Sequence, residues 1–357
     1  MFARLFVKLY SGSGGYVLTS GFQYTFWTNL IFLALVPKTC LQVRNFCERS
    51  VHCTMAQPKF PSTLREFGYT FDDDGKLRKI DRATDSATKE PFDFSVSEDA
   101  KYNQKRYEAL GEIINEYVYE LLEKNSLHRL PLPKDDSVLP TMKSFIFASE
   151  NMAETNKVIV IIHGSGVVRA GQWARRLIIN DCLATGTQIP YIQKAKELGY
   201  SLFVLNTNDN SRLINHKLQK IKGSADPHEH LDTAWWEYIR QCKRKSVAII
   251  AHSYGGECIV QFARKHADEF KERVVAVALT DSVHIAPSGG VGYISKIARN
   301  WACSDKPLDT PLPSLTGEIE RVSAGHTVHE MSSSSSMESV FAFIEDRFAH
   351  NSEGAAN

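Results

Sequence analysis

From residue 144 to residue 280 the apolar positions fall in short unbroken blocks separated by longer stretches of mixed character. Ser144–Ala148, Val158–Ile162, Ser201–Leu205, Ser246–Ile250 and Arg273–Thr280 are rich in Val, Ile, Leu and Phe. Blocks of this length without alternation read as strands buried on both faces. Between them, Gln172–Ile179, Ile189–Leu198 and Asp232–Cys242, the last carrying Trp235 and Trp236, read as helices. Strands and helices in alternation predict an α/β fold, a doubly wound and mostly parallel sheet covered on both faces. Further on, Glu320 opens a short strand and Val340–Phe348 a closing helix. The Asn-rich stretch from Asn206 to about His230 reads as a loop, the serine run Ser332–Ser336 as a flexible loop, and Pro287–Pro313 as a lid-like segment.

The residues before this region have a different pattern. Phe67–Ile80 alternates aromatic and polar positions around Asp72-Asp73-Asp74-Gly75, which predicts a β-hairpin with a polar turn. The turn is not a calcium loop, since no ligand alternation or downstream glutamate follows. Tyr102–Glu123 places Tyr107, Leu110, Ile114, Tyr117, Val118, Leu121 and Leu122 at helical spacing, a core-facing stripe. The expected organisation is an N-terminal extension (1–57), a hairpin and helix lead-in (58–140), the α/β domain (141–349) and a tail (350–357). Within the extension, Ser11–Gly15 is a lone glycine cluster and Phe26–Val36 is too short to span a bilayer. The latter has the length of a signal-peptide core after Arg4 and Lys8, but Pro37-Lys38 stands where small residues would mark cleavage. Met55 is an alternative start, because domain-like patterning begins at Ala56.

Composition narrows the classes. With 357 residues, 43% hydrophobic and 23% charged, the chain can bury a large core. A net charge of +1 argues against direct binding of nucleic acid by electrostatics alone. Lys243-Arg244-Lys245 reads as the solvated end of a helix. The seven scattered cysteines include no C-x-x-C pair, which points to a reducing compartment and no metal site. No N-x-[ST] acceptor occurs, and nothing in the sequence calls for a cofactor.

Chemistry concentrates at the ends of the apolar blocks. Val247–Glu257 runs from a strand into Ala251-His252-Ser253-Tyr254-Gly255-Gly256. This matches a nucleophile elbow with alanine in place of the first glycine, and makes Ser253 the candidate nucleophile. A capping serine at an ordinary helix start is the plainer alternative. Lys157–Gly166 ends in His163-Gly164-Ser165-Gly166, where backbone N–H groups of Gly164 or Ser165, with that of Tyr254, would form an oxyanion hole. A dinucleotide loop fails here because Arg169 stands where the third glycine is needed. The fold places nucleophile, acid and histidine in that chain order, so Asp281, at the end of Arg273–Thr280, is the candidate acid. His329 is preferred over His326 as base, since a loop and a helix follow it; His284 is the weaker alternative.

The segments His163–Asn180, Ala251–Gly256, Ala278–His284 and His329-Glu330, with Asn103–Glu112, resemble the Argonaute-binding, Arb-type domain family, and within it the vertebrate cotranscriptional regulators. The resemblance covers roughly Phe60 to Phe348. It implies an α/β-hydrolase-like fold, association with Argonaute and chromatin or splicing proteins, influence on alternative splicing, and a nuclear (and cytoplasmic) location, with the secretory route as the alternative. The loop after Asn210 is shorter than the charged insertion of the regulators, and the chain ends Gly354–Asn357 where some relatives carry an endoplasmic-reticulum retention signal. Two functions follow: a nuclear adaptor on a hydrolase scaffold, or a serine hydrolase acting on a small acyl substrate through Ser253, Asp281 and His329.

Overall fold

Every apolar block of the central region becomes a strand of one sheet. The computed structural model describes residues 59–150, 152, 156–242, 246–285 and 292–354. These belong to a compact unit, Pro58–Asn357. The extension with Ser11–Gly15, Phe26–Val36 and Met55, and the basic run 243–245, lie outside the described residues.

The lead-in comes first. Strands β1 (Tyr69–Phe71) and β2 (Leu77–Asp81) pair antiparallel, with Phe71 opposite Leu77. Asp72 closes the turn between them, its Oδ1 accepting from the N–H groups of Asp74 and Lys76. A third strand, β3 (Ser86–Pro91), pairs with β2 and was not expected, because its SATKEP sequence carries almost no apolar signal. Helix α1 (Ala100–Lys124) starts at Asp99, whose side chain caps Lys101 N. It buries Leu110, Ile114, Val118 and Leu122. The first three pack with Tyr69 and Leu77, whereas Leu122 turns toward the main sheet.

The main sheet contains β4 (Leu127–Leu132), β5 (Ser144–Ser149), β6 (Val158–Ile162), β7 (Ser201–Val204), β10 (Val247–His252), β11 (Val274–Thr280), β12 (Ala298–Ala302), β13 (Pro311–Leu312) and β14 (Glu320–Ser323). Two strands between β7 and β10, β8 (Ser211–Ile214) and β9 (Lys217–Lys220), form a separate hairpin inside the Asn-rich stretch. The order across the sheet is β13-β14-β12-β11-β10-β6-β7-β5-β4. From β7 to β14 the neighbours are parallel; β5 and β4 continue antiparallel at one edge, and β13 at the other. Leaving out β13 and ranking the rest by chain order gives 1-2-4-3-5-6-7-8, the α/β-hydrolase arrangement. Edge strand β4 escapes sequence reading because it contains Pro131, which only an edge tolerates.

Helices cover both faces. On one side lie α5 (Pro227–Glu237), α6 (Tyr254–Lys265), α7 (Ala267–Arg273) and α8 (Ile294–Ile297), over Val158, Val160, Ile162, Ile249 and Ala251. On the other lie α4 (Ile189–Glu197) and α9 (Ser332–Gly354), over Ile159, Ile161, Ala248 and Ile250. The period of two along β6 and β10 divides these residues between two cores. Two short helices, α2 (Arg175–Asn180) and α3 (Leu183–Gly186), join β6 to α4.

Three segments differ from expectation. The run Ser332–Ser336 is the first turn of α9 and not a flexible loop. Its hydroxyls are satisfied locally and across the fold: Ser336 Oγ donates to Ser332 O, Ser335 Oγ to Ala324 O, and Ser333 Oγ pairs with Thr280 Oγ1 at 2.7 Å. The lid-like stretch holds α8, core strand β12 and β13, while 286–291 lie outside the described residues. The helix with Trp235 begins earlier than expected, at Pro227, because Asp226 caps the N–H groups of His228 and Glu229.

Candidate active site

Sequence places Ser253, Asp281 and the oxyanion loop at the carboxyl ends of β10, β11 and β6, which lie side by side in the sheet. Ser253 joins β10 to α6 at φ 53° and ψ −119°, a left-handed backbone that costs a non-glycine residue about 1–3 kcal/mol. An ordinary capping serine has extended backbone and bonds the helix N–H groups; Ser253 has neither feature. The elbow closes against its neighbours: a Cβ on Gly255 would lie 2.7 Å from His163 O, and one on Gly256 2.0 Å from Ser282 Oγ. Gly164 is confined less severely, since a Cβ there would sit 3.0 Å from Ser253 Cβ. Tyr254 opens α6 directly after the serine, and Ser165 lines the same cleft as Ser253.

Asp281 also has positive φ, 45°, at the end of β11. Its Oδ1 accepts from Cys303 N at 3.0 Å, and its Oδ2 accepts from His329 Nδ1 at 2.6 Å. Burial pushes the Asp281 carboxyl up, but the hydrogen bonds from His329 and Cys303 outweigh it and hold the group at about 2. The same contact with Asp281 raises His329, against the opposing effect of burial. Nδ1 therefore carries the proton in neutral His329 and leaves Nε2 as the base. His326 is engaged elsewhere, its Nδ1 accepting from Val328 N, and His284 Nδ1 pairs with Ser282 Oγ. Of the three histidines, only His329 is joined to Asp281 in this way.

Asp281, Cys303 and His329 also lie close enough together to be weighed as metal ligands. The separations argue otherwise. Bonds of about 2.0–2.1 Å in a tetrahedral shell put neighbouring donor atoms roughly 3.3 Å apart. At 2.6 Å the Asp281–His329 pair is a hydrogen bond, and the Cys303 thiol is pushed up by burial and by its hydrogen bond to Asp281.

Sequence reasoning missed the layer beneath these groups. His252 is buried, its Nδ1 donating to Thr280 O at 2.9 Å, and its ring packs on His329 with centroids 4.7 Å apart. Burial, then the neighbouring His329, lowers it to about 3, so it stays neutral beside His329. His163 and His230 are buried too, lowered by desolvation to about 4 and about 3. Asn208 ties the oxyanion loop down, its Nδ2 donating to Gly164 O at 2.9 Å and Val168 O at 3.1 Å. Asn206 Oδ1 accepts from Ala170 N. The clustered asparagines after β7 were the available signal: residues 206–210 form the expected loop, with Asn206 buried, while the rest of the stretch holds the β8–β9 hairpin and the start of α5.

A cleft of about 430 Å³ opens over Ser253 and His329, lined also by Gly164, Trp173, Arg175, Arg176 and Glu330. A larger cavity of about 530 Å³ lies between β1, β2 and α1, but its lining has no histidine or cysteine, and the candidate triad residues Ser253 and His329 line the smaller one. Arg175 is 4% exposed; its Nη2 donates to Val167 O, Asn115 Oδ1 and Glu112 Oε1, while its Nε has no partner. The guanidinium rests on Gly111 of α1, where a Cβ would come 2.3 Å from Nη1. A glycine inside a helix costs about 0.5–1 kcal/mol relative to alanine. Here it makes room for a buried cation.

With this geometry in place, comparison with known proteins adds one decisive match. The family model of the Arb2 domain matches residues 60–308. The chain belongs to the Arb2 domain family. Among curated Arb2 relatives, "Cotranscriptional regulator ARB2A homolog" of Gallus gallus is 40% identical over 344 residues, covering 81% of each chain. "Cotranscriptional regulator ARB2A" of Homo sapiens is 39% identical, covering 80% of this chain and 81% of the relative. Among solved structures, the histone deacetylase Clr3 is similar at 14% identity and a TM-score of 0.45, covering 73% of this chain and 42% of Clr3. That likeness is too partial to bear on function. The α/β-hydrolase-like fold is read from this chain's own strand order. Among the described residues no helix is long and apolar enough to cross a membrane.

Proposed function

We propose that this Arb2 protein is a cotranscriptional regulator built on a hydrolase scaffold that retains a serine site for acyl transfer. The regulatory half is supported by relatives about 40% identical over four fifths of the chain that are named cotranscriptional regulators. On this reading the protein associates with Argonaute and with chromatin or splicing proteins, works in the nucleus with a cytoplasmic pool, and influences alternative splicing. The chemical half is carried by one observation, the 2.6 Å hydrogen bond from His329 Nδ1 to Asp281 Oδ2 beside a strained Ser253.

The chemistry proceeds in two halves. Ser253 Oγ attacks the carbonyl carbon of an ester, thioester or amide, and its proton passes to His329 Nε2. The carbonyl oxygen takes the negative charge and is held by backbone N–H groups of Tyr254 and of Gly164 or Ser165. Collapse breaks the bond to the leaving group, which takes the proton from His329. Water then attacks the acyl-serine, giving its proton to His329, and the acid departs as Ser253 recovers its hydrogen.

Two experiments test the two halves. A fluorophosphonate probe should label wild-type protein at Ser253, and both Ser253→Ala and His329→Ala should abolish labelling. Asp281→Asn should slow it by roughly four orders of magnitude, by analogy with a well-studied protease, while His326→Ala leaves it nearly unchanged. A correctly folded wild type that several phosphonates fail to label would remove the chemical half. Capture from nuclear extract should recover Argonaute or splicing proteins and survive Ser253→Ala; loss of both partner classes at low salt would remove the regulatory half.

A further inference from the structure

We propose that the cleft at Ser253 takes an acyl substrate bearing its own anionic group, a carboxylate or a phosphate, and that Arg175 and Arg176 hold that group. The proposal builds on the serine-site reading above and adds the substrate class. Arg175 and Arg176 both line the cleft that contains Ser253 and His329. A buried guanidinium is costly unless its charge and its N–H groups are met. Arg175 is only partly met: its one carboxylate neighbour, Glu112, is 3.4 Å away and 69% exposed, and its buried Nε–H has no partner. Arg169, on the same loop, does not line the cleft and is turned onto the Val167 and Val168 carbonyls.

Arg176 is exposed and forms no ion pair among the described residues. The acid on the lining, Glu330, faces a different task, since it adjoins His329 and raises its basicity. The fold also gives up helix stability in α1 at Gly111 so that the guanidinium can lie there. Planar guanidinium groups match carboxylate and phosphate oxygens in paired hydrogen bonds, the recognition that lysine cannot supply.

Binding can be measured without turnover. Ser253→Ala protein would be titrated calorimetrically with monomethyl glutarate, with its neutral counterpart dimethyl glutarate, and with 3-acetoxypropyl phosphate. At least one anion should bind more tightly than the neutral diester by on the order of tenfold, and whichever anion binds better identifies the source of the charge. Arg176→Gln should remove most of that preference without changing the melting temperature, and Arg176→Lys should restore only part of it. Equal affinity for charged and neutral esters, or an Arg176→Gln protein that keeps the preference, would overturn the proposal. Arg175→Gln serves as a second variant if it folds. Phosphonate labelling of wild type separates the two failures: a labelled protein blind to anions loses only this proposal, and an unlabelled protein that binds anions keeps the anion site but loses the serine chemistry and, with it, the acyl substrate.

Discussion

Ser253 and Asp281 both hold left-handed backbone at the ends of adjacent strands, and both are followed by residues that fix them there. Val283 N donates to Ser253 O, Ser253 N donates to Thr280 O, and Asp281 N donates to Trp301 O, so the strain is shared among three strand ends. The base has its own constraint. Its carboxylate partner raises His329, and the neutral form needed to accept a proton is reached only above the ordinary histidine value of about 6.5. Phosphonate labelling should therefore fall with decreasing pH through a midpoint above 6.5, and Asp281→Asn should move that midpoint down. A wild-type midpoint below 6.5 would contradict the pairing. The same pair stabilises the fold while His329 is protonated, below about 6.5, and that contribution is lost as pH rises through its raised value.

At the scale of elements, α1 and α2 meet through one contact that a double-mutant cycle can isolate. Gly111→Ala should destabilise the wild type in urea unfolding, because the new Cβ meets a guanidinium held by three acceptors. In an Arg175→Ala background the same change should stabilise by about 0.5–1 kcal/mol, the ordinary gain of alanine in a helix. Stabilisation in both backgrounds would mean that Arg175 does not press on α1. Nothing in the sequence near Gly111 announces this contact, since its partner lies more than sixty residues away. The central strands were legible because each of Val158–Ile162 and Val247–Ala251 is buried and apolar throughout. The Asp281–His329 pair was legible through chain order. The closing part of α9, Val340–Phe348, was legible as a helix, but its serine-rich start was not, because serine has no apolar period and the hydroxyls of Ser333 and Ser335 find partners outside the helix, at Thr280 and Ala324. Arg175 was hidden for a related reason: a charged residue in sequence reads as surface, and only the packing of α1 encloses it.

Across the whole molecule, the site gathers at the carboxyl ends of the central parallel strands β6, β10 and β11, where such folds place ligands. Three buried histidines, His163, His230 and His252, are held neutral in the native state, each with a single ring proton and a second position left empty. Unfolded, each would titrate near 6.5; folded, they wait until about 4, 3 and 3. Their contribution to stability is complete above about 6.5 and is lost as pH falls toward those lower values. Acid unfolding should thus be coupled to proton uptake, with each histidine steepening the loss by about 1.4 kcal/mol per pH unit inside that window. Potentiometric titration across the transition should register close to three more protons bound by the unfolded chain from this source at about pH 5, and replacing His230 with glutamine should flatten the curve by one. These three imidazoles thereby act as an acid fuse for the entire fold, set well below the raised value of His329.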